Sequence, residues 1–303
     1  MSRAGSNARQ REFVKVYNSL CSRHNRHQVW QDFVYMVAAS ISNAADKRHA
    51  QEREEQYMSI VKRYEAADRD SFPHLFALIV SGMEEMPDQD YLGELYMELE
   101  LGNSQAGQFF TPYDLCRAMA MITIDTDLIE SELRQNGYVS VNDCACGAGA
   151  TLIAAAMIMK EKGINYQRDA IFVAQDIDYV VGLMCYIQLS LLGCAGYVHI
   201  GNTLTDPMTG SILFGDGKSS TWYTPMYFSD AWRVRRTMKS ALSCVTAVLP
   251  GDPVSGAEIP MTRKGKPVEE PLQQATEPAI VAQDKGQMMF DFDLLEEWPC
   301  MTL

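Results

Sequence analysis

The chain has 303 residues, of which 47% are hydrophobic and 21% charged. That balance allows a sizeable buried core in more than one folded piece and excludes collagen-like and wholly disordered classes. The net charge of −13 argues against a uniformly basic nucleic-acid binder, yet the charge is unevenly spread. Residues 1–64 hold eleven Lys and Arg against six Asp and Glu, whereas residues 65–100 hold one against ten. A basic N-terminal segment suits a footprint on phosphates and equally a solvated helix face. No apolar run reaches the roughly 18 residues that cross a bilayer, and residues 1–10 lack an apolar signal core, so a cytoplasmic protein with no membrane association is expected. The eight cysteines (21, 116, 144, 146, 185, 194, 244 and 300) form no C-x-x-C pair. They read as reduced core thiols, and no metal site is expected.

Taken in chain order, residues 8–101 predict helices, because apolar side chains recur three and four apart: Phe13, Val16, Tyr17 and Leu20, then Trp30, Phe33, Val34 and Val37. Further helices are expected over 47–67, over 72–82 after the start signal Ser71-Phe72-Pro73, and over 89–101, ending at Gly102-Asn103. A helical N-terminal domain is therefore expected over 1–104. From Tyr138 the period changes. Short strand-like runs (Tyr138–Val141, Ala170–Ala174, Tyr197–Ile200) alternate with helical patterns over Ala150–Lys162 and Tyr179–Leu192. This alternation predicts βαβ units, a parallel sheet and a doubly wound α/β domain over 105–250. The run Ser243–Leu249 reads as a later strand or as a buried helix end. Residues 251–303 read as a Pro-, Gly- and Glu-rich linker followed by an acidic and apolar tail.

The residues most informative about chemistry follow the first strand: Asp143-Cys144-Ala145-Cys146-Gly147-Ala148-Gly149. At a strand-to-helix turn, glycines permit positive φ and close approach of a ligand, and the helix N-terminus offers free N–H groups. The second strand ends in Gln175-Asp176-Ile177-Asp178. A carboxylate there can accept both hydroxyls of a ribose. The third ends in Gly201-Asn202-Thr203-Leu204, where the Asn202 amide can meet an adenine edge. Three strand ends thus converge on one nucleoside.

The succession Gly107-Gln108-Phe109-Phe110-Thr111-Pro112, Asp143-x-x-Cys146-Gly147-x-Gly149, Gln175-Asp176-Ile177-Asp178 and Gly201-Asn202-Thr203-Leu204 resembles the modification subunits of type I restriction systems and related adenine-specific DNA methyltransferases. The likeness spans about residues 90–205, with Asp90 to Tyr96 similar to the helix that precedes the family's G-Q-x-x-T-P motif. It implies a Rossmann-like S-adenosylmethionine-dependent sheet and transfer of a methyl group to adenine N6 in DNA, in a phage, plasmid or bacterial setting. By this resemblance Phe110, Thr111 and Pro112 lie over the methionine part of S-adenosylmethionine, although a helix cap at Thr111 with Pro112 at the first helical position also fits. Asp143, Cys146, Gly147 and Gly149 hold its amine and carboxylate, Asp176 its ribose, Ile177 and Asn202 its adenine. Asn202 stands where the family commonly has Asp.

The departure from the family lies downstream. Its amino methyltransferases carry an Asn/Asp-Pro-Pro-aromatic motif that aims the target amine and stacks the extruded base. This chain has no Pro-Pro pair. Asp252-Pro253 supplies an acceptor without an aromatic, and Thr224-Pro225-Met226-Tyr227-Phe228 supplies aromatics without a carboxylate or amide; a turn and core packing are their ordinary readings. The basic cluster Arg233, Arg235, Arg236 and Lys239 suits DNA contact or a solvated helix face. The tail from Gln287 to Phe292 resembles the short motif that binds the replication sliding clamp, or packs back on its own domain. A separate specificity subunit is a further expected partner. The rival functions are a DNA-associated protein that keeps the cofactor pocket without turnover, and methylation of RNA or protein.

Overall fold

The computed structural model describes residues 3–102, 110–208 and 211–248, with side chains from Ala8 to Ala241. Met1–Ser240 form one unit, and Ala241–Leu303 a second. The first unit opens with six helices: α1 (Arg3–Cys21), α2 (Arg26–Ala45), α3 (Ala50–Val61), α4 (Ala66–Arg69), α5 (Ser71–Glu85) and α6 (Tyr91–Glu98). α2 starts where the Asn25 side chain accepts from the Gln28 N–H at 3.1 Å, a cap that satisfies one of the orphan donors of the first turn. The apolar periodicity does become a core: Phe13 and Tyr17 of α1 pack edge-on against Trp30 of α2, with ring centroids 6.1 and 5.9 Å apart. The single helix expected over 47–67 is two, α3 and α4. The Arg69 side chain donates to the carbonyls of Val61 and Tyr64 and so fixes the intervening turn.

Several charges of the basic segment are used inside this unit. Arg9 pairs with Glu85, Arg23 with Asp68, and Arg63 with Asp32. Arg53 is buried. It donates to Asp46 at 3.3 Å and to the Thr221 carbonyl at 3.2 Å, and its guanidinium lies 4.0 Å from the Trp222 ring centroid. This one side chain therefore ties the helical part of the unit to the sheet. A buried arginine is tolerated because its planar fork is satisfied on several sides at once.

Two helices that the periodicity did not announce, α7 (Tyr113–Thr123) and α8 (Thr126–Asn136), lead into the sheet. β1 (Val139–Asp143), β2 (Ala170–Asp176) and β3 (Ala195–Ile200) are parallel, and β4 (Thr221–Tyr223) adds antiparallel to β3, giving the order β1-β2-β3-β4. α9 (Ala150–Glu161) links β1 to β2, followed by the short α10 (Tyr166–Asp169); α11 (Tyr179–Leu191) links β2 to β3. Both crossovers step the same way along the sheet, so right-handed connections put α9 and α11 on one face. There Phe172, Ala174 and Val198 join the helices in one core. The other face, with Ile171, Val173, Ala195 and Tyr197, is covered by Leu213, Tyr227 and Trp232. The strand order never reverses among the described residues, so the doubly wound arrangement expected from the alternation is present as a single wind, and β1 has no strand partner on its outer side. The possible strand at 243–249 is instead, through Val248, the end of α12 (Asp230–Val248); its apolar run continues a helix that begins thirteen residues earlier. No helix among the described residues is long and apolar enough to cross a membrane.

Replacing Arg53 by Ala takes from the buried Asp46 carboxylate one of its two arginine partners and from β4 its bond to α3, and urea unfolding of the Arg53→Ala chain is expected to show a loss of about 3 kcal/mol. A variant as stable as the parent would show that the bridge to β4 contributes nothing.

Candidate cofactor site

Parallel pairing sets three strand ends side by side: Asp143 lies opposite Ala174 at the end of β1, and Asp176 lies opposite Ile200 at the end of β3. The loops that leave them are laced together. The Gly147 N–H donates to the Asp176 carboxylate at 2.8 Å, and the Cys146 N–H to the Gln175 carbonyl at 3.0 Å. The Gly201 N–H donates to the Asp176 carbonyl at 2.9 Å, and the Thr203 hydroxyl to the Cys144 carbonyl at 2.6 Å. Every loop is bonded to another, so the three tips are held together at the carboxyl end of the sheet, where the crevice of open α/β sheets binds ligands.

Gly147 and Gly149 take φ of +55° and +99°. At Gly149 a Cβ would also lie 2.8 Å from the Cys185 sulfur, so the loop needs glycine both for its backbone and for its closeness to α11. Gly149 is the N-cap of α9, whose first-turn N–H groups have no intrahelical acceptors. Phe110 packs over the loop, 3.5 Å from where a Gly147 Cβ would be, and its ring centroid is 5.6 Å from that of Tyr96 on α6.

The chemistry of the crevice is acidic with open apolar margins. The Asp143 carboxylate accepts from the Ala145 N–H at 3.0 Å and from the Thr151 hydroxyl. Asp176 accepts from Gly147 and, through its other oxygen, from the Asp178 N–H at 2.9 Å, and each of these oxygens retains a further lone pair for a ligand hydroxyl. The Asn202 carbonyl oxygen accepts from the Leu204 N–H at 2.9 Å, and its amide nitrogen has no acceptor among the described residues. Ile177 is 70% exposed and Leu204 90%. Apolar side chains so open at the rim of a carboxylate crevice suit the flat face of a purine.

The crevice is braced from beneath by groups that the periodicity hid. Gln188, fully buried in the apolar α11, donates to the Ala148 carbonyl and to the Asp90 carboxylate, both at 2.8 Å, and accepts from the Leu92 N–H at 3.1 Å. Asp90 also caps α6 by accepting from the Gly93 N–H at 3.0 Å. Burial pushes the Asp90 carboxyl up to about 6, against the opposing pull of Gln188 and Gly93. A lone amide inside an apolar helix was the available signal for this brace.

Of the residues singled out in the sequence, Phe110, Asp143, Gly147, Gly149, Asp176, Ile177 and Asn202 come together here. Cys146 is buried with its side chain in the core, so any part it takes in ligand binding is left to its backbone. Thr111 does not cap: α7 begins at Tyr113 with Pro112 at the cap position and no side-chain cap bond. Gly107, Gln108 and Phe109 lie outside the described residues, as do Asp252, Pro253 and the tail from Gln287 to Phe292. The segment Thr224–Phe228 is core. The Thr224 hydroxyl donates to the Cys194 carbonyl at 2.7 Å, the Tyr227 hydroxyl donates to the Leu213 carbonyl at 2.9 Å, and Thr224 bonds Gly196 at the start of β3, the opposite end of the sheet from the crevice. Its two hydroxyls are thus engaged within the fold. The basic cluster divides. Arg235 is structural, donating to the Arg168 carbonyl and lying 4.5 Å from the Trp232 ring centroid; Arg233 and Arg236 line a separate pocket; Lys239 is exposed on α12. No group of three or more His, Cys, Asp and Glu that could hold a metal occurs among the described residues.

Comparison with known proteins adds a family. The profile of the N-6 DNA Methylase family matches residues 87–243. No curated protein matches the chain. Among solved structures, the type I restriction-modification system methyltransferase subunit from Streptococcus thermophilus is similar with a TM-score of 0.35 and 11% identity, over 68% of this chain and 60% of that one. The chain thus spans about three fifths of that protein's length.

The Asp90 brace has a pH signature. Because its folded pKa of about 6 exceeds the ordinary value of 3.8, the folded state holds the proton more tightly, so this contribution is present in full below about pH 4 and is lost as pH rises through about 6. Asp90→Asn keeps a capping side chain and removes the titration. Relative to the parent, the variant is expected to gain up to about 3 kcal/mol between pH 4 and pH 7.5 in urea unfolding. A difference that stays flat across that range contradicts the brace.

Proposed function

Because the chain belongs to the N-6 DNA methylase family, we propose that it binds S-adenosylmethionine in the crevice at the tips of β1, β2 and β3 and acts in the methylation of adenine N6 in DNA. The observation that supports this reading is the lacing of three strand tips around Asp176, which keeps carboxylate and amide groups close together at the end of the sheet. The residues fit that cofactor. It is cationic at sulfur and at its amino group, and the crevice presents Asp143 and Asp176. When bound it supplies a methyl group on a sulfonium, an electrophile that needs no metal.

Each residue then has a role set by its chemistry. Asp176 accepts hydrogen bonds from the ribose hydroxyls, and Asn202 donates its free amide protons to an adenine nitrogen. Ile177 packs on the purine face. The Gly147–Gly149 loop and the first turn of α9 offer N–H groups to the methionine carboxylate, and Asp143 holds its ammonium. Phe110 and the exposed Thr111 and Pro112 close the methionine side. Choice of DNA sequence falls to a separate specificity subunit.

A second reading, a cofactor-binding DNA-associated protein without turnover, is favoured by a specific observation. The hydroxyls of Thr224 and Tyr227, in the aromatic stretch that stands nearest to the family's missing motif, are engaged in internal hydrogen bonds. Calorimetry with S-adenosylmethionine tests the shared part. Asp176→Ala removes charge-assisted hydrogen bonds to ribose and is expected to weaken binding on the order of tenfold or more, whereas unchanged affinity removes Asp176 from the site. Incubation of DNA with methyl-labelled cofactor, followed by digestion to nucleosides, separates the readings: label in N6-methyladenine supports the enzyme, and unlabelled adenine on varied DNA supports the silent protein.

A further inference from the structure

Two basic stretches that the cofactor crevice leaves unused meet at one place. Arg48, in the turn between α2 and α3, lines with Arg233 and Arg236 of α12 a single open pocket of about 450 Å³, on the far side of the sheet from β1. Its floor is aromatic. Tyr227 packs on Tyr223 and Phe228, with ring centroids 4.7 and 5.3 Å apart, and Phe214 contributes a partly exposed ring. The Arg48 guanidinium lies 4.9 Å from the Tyr223 ring centroid and that of Arg236 3.9 Å from Tyr227.

Three positive charges in one concavity repel unless something answers them. Arg48 has Asp46 at 3.3 Å and Arg233 has Asp230 at 2.5 Å. Arg236 has no ion pair among the described residues, and its buried Nη1 has no hydrogen-bond acceptor. Burial first, and then the like charges of Arg48 and Arg233, hold the Arg236 pKa below its usual value, against the pull of Tyr227. A half-buried guanidinium with one buried, unsatisfied nitrogen, beside two others in one concavity, is a site whose missing component is an anion. Guanidinium forks match the oxygens of a phosphate, and the adjoining rings offer a face to a base.

We propose that this pocket holds a backbone phosphate of a DNA strand, with a neighbouring base against Phe214 and Phe228. The site is built on the β4 edge and is separate from the crevice at the strand tips. The inference rests on DNA being the substrate of the chain, and it adds where a strand is gripped.

The test is fluorescence anisotropy of a labelled single-stranded oligonucleotide titrated with the full chain at several salt concentrations. Arg48→Ala and Arg236→Ala are each expected to weaken binding on the order of tenfold and to lower the salt slope by about one. Lys15→Ala, which removes an exposed charge on α1 outside the pocket, leaves binding as it was. Ser240→Glu sets a carboxylate at the pocket rim without removing a contact of the fold, and it is expected to weaken binding as strongly, which keeps the test valid should an arginine variant fail to fold. Wild-type affinity in the pocket variants overturns the proposal. So does equal weakening by Lys15→Ala, no binding by the parent chain, or displacement of the strand by free AMP at equal phosphate concentration. Methyl transfer measured in parallel keeps the two readings apart: strand binding that depends on Arg48 and Arg236 without any transfer supports the pocket and contradicts the enzyme.

Discussion

A single hydrogen bond organises the crevice: the Gly147 N–H donating to the Asp176 carboxylate. It joins the loop after β1 to the end of β2, at a residue whose positive φ lets the chain turn on toward α9. With that bond in place, Gly149 can come close to Cys185, α9 can start where its free N–H groups face the crevice, and the β3 tip can attach through Gly201 and Thr203. A loop that swung free would leave three carboxyl-terminal strand ends with no common ligand.

The helical part of the unit holds this arrangement in position. Asp90 and Gln188 run from the cap of α6 through α11 to the Ala148 carbonyl, and Phe110 rests on the same loop from the other side. Arg53 anchors α3 to β4. Part of the positive charge of the first 64 residues is therefore internal wiring, and one of its arginines, Arg48, lines the pocket beside α12.

The sequence was readable where backbone geometry forces residue type. Glycines at positive φ, strand-end carboxylates and an apolar alternation over 138–200 are each tied to one local geometry, and they placed β1 to β3 with the crevice between their tips. Reading failed where context decides. α7 keeps Leu115, Met119 and Ile122 exposed and buries only Cys116 and Ala120, so its apolar face did not mark its inner side. The second wind failed for a topological reason: alternation reports βαβ units but not the direction of their steps, and here every step runs from β1 toward β3. Thr224–Phe228 could not be assigned from its residues, because only their partners, Cys194 and Leu213, show that the hydroxyls are engaged. Gln188 and Asp90 escaped notice because they lie 98 residues apart and matter only as a pair.

Backbone amide hydrogen exchange, followed with and without S-adenosylmethionine, reads each of the three strand tips separately. If one ligand is held by three laced tips, added cofactor slows exchange together at Cys146–Gly149, at Asp176–Asp178 and at Gly201–Leu204. Protection confined to one of those segments, or absent from all three at saturating cofactor, contradicts the account.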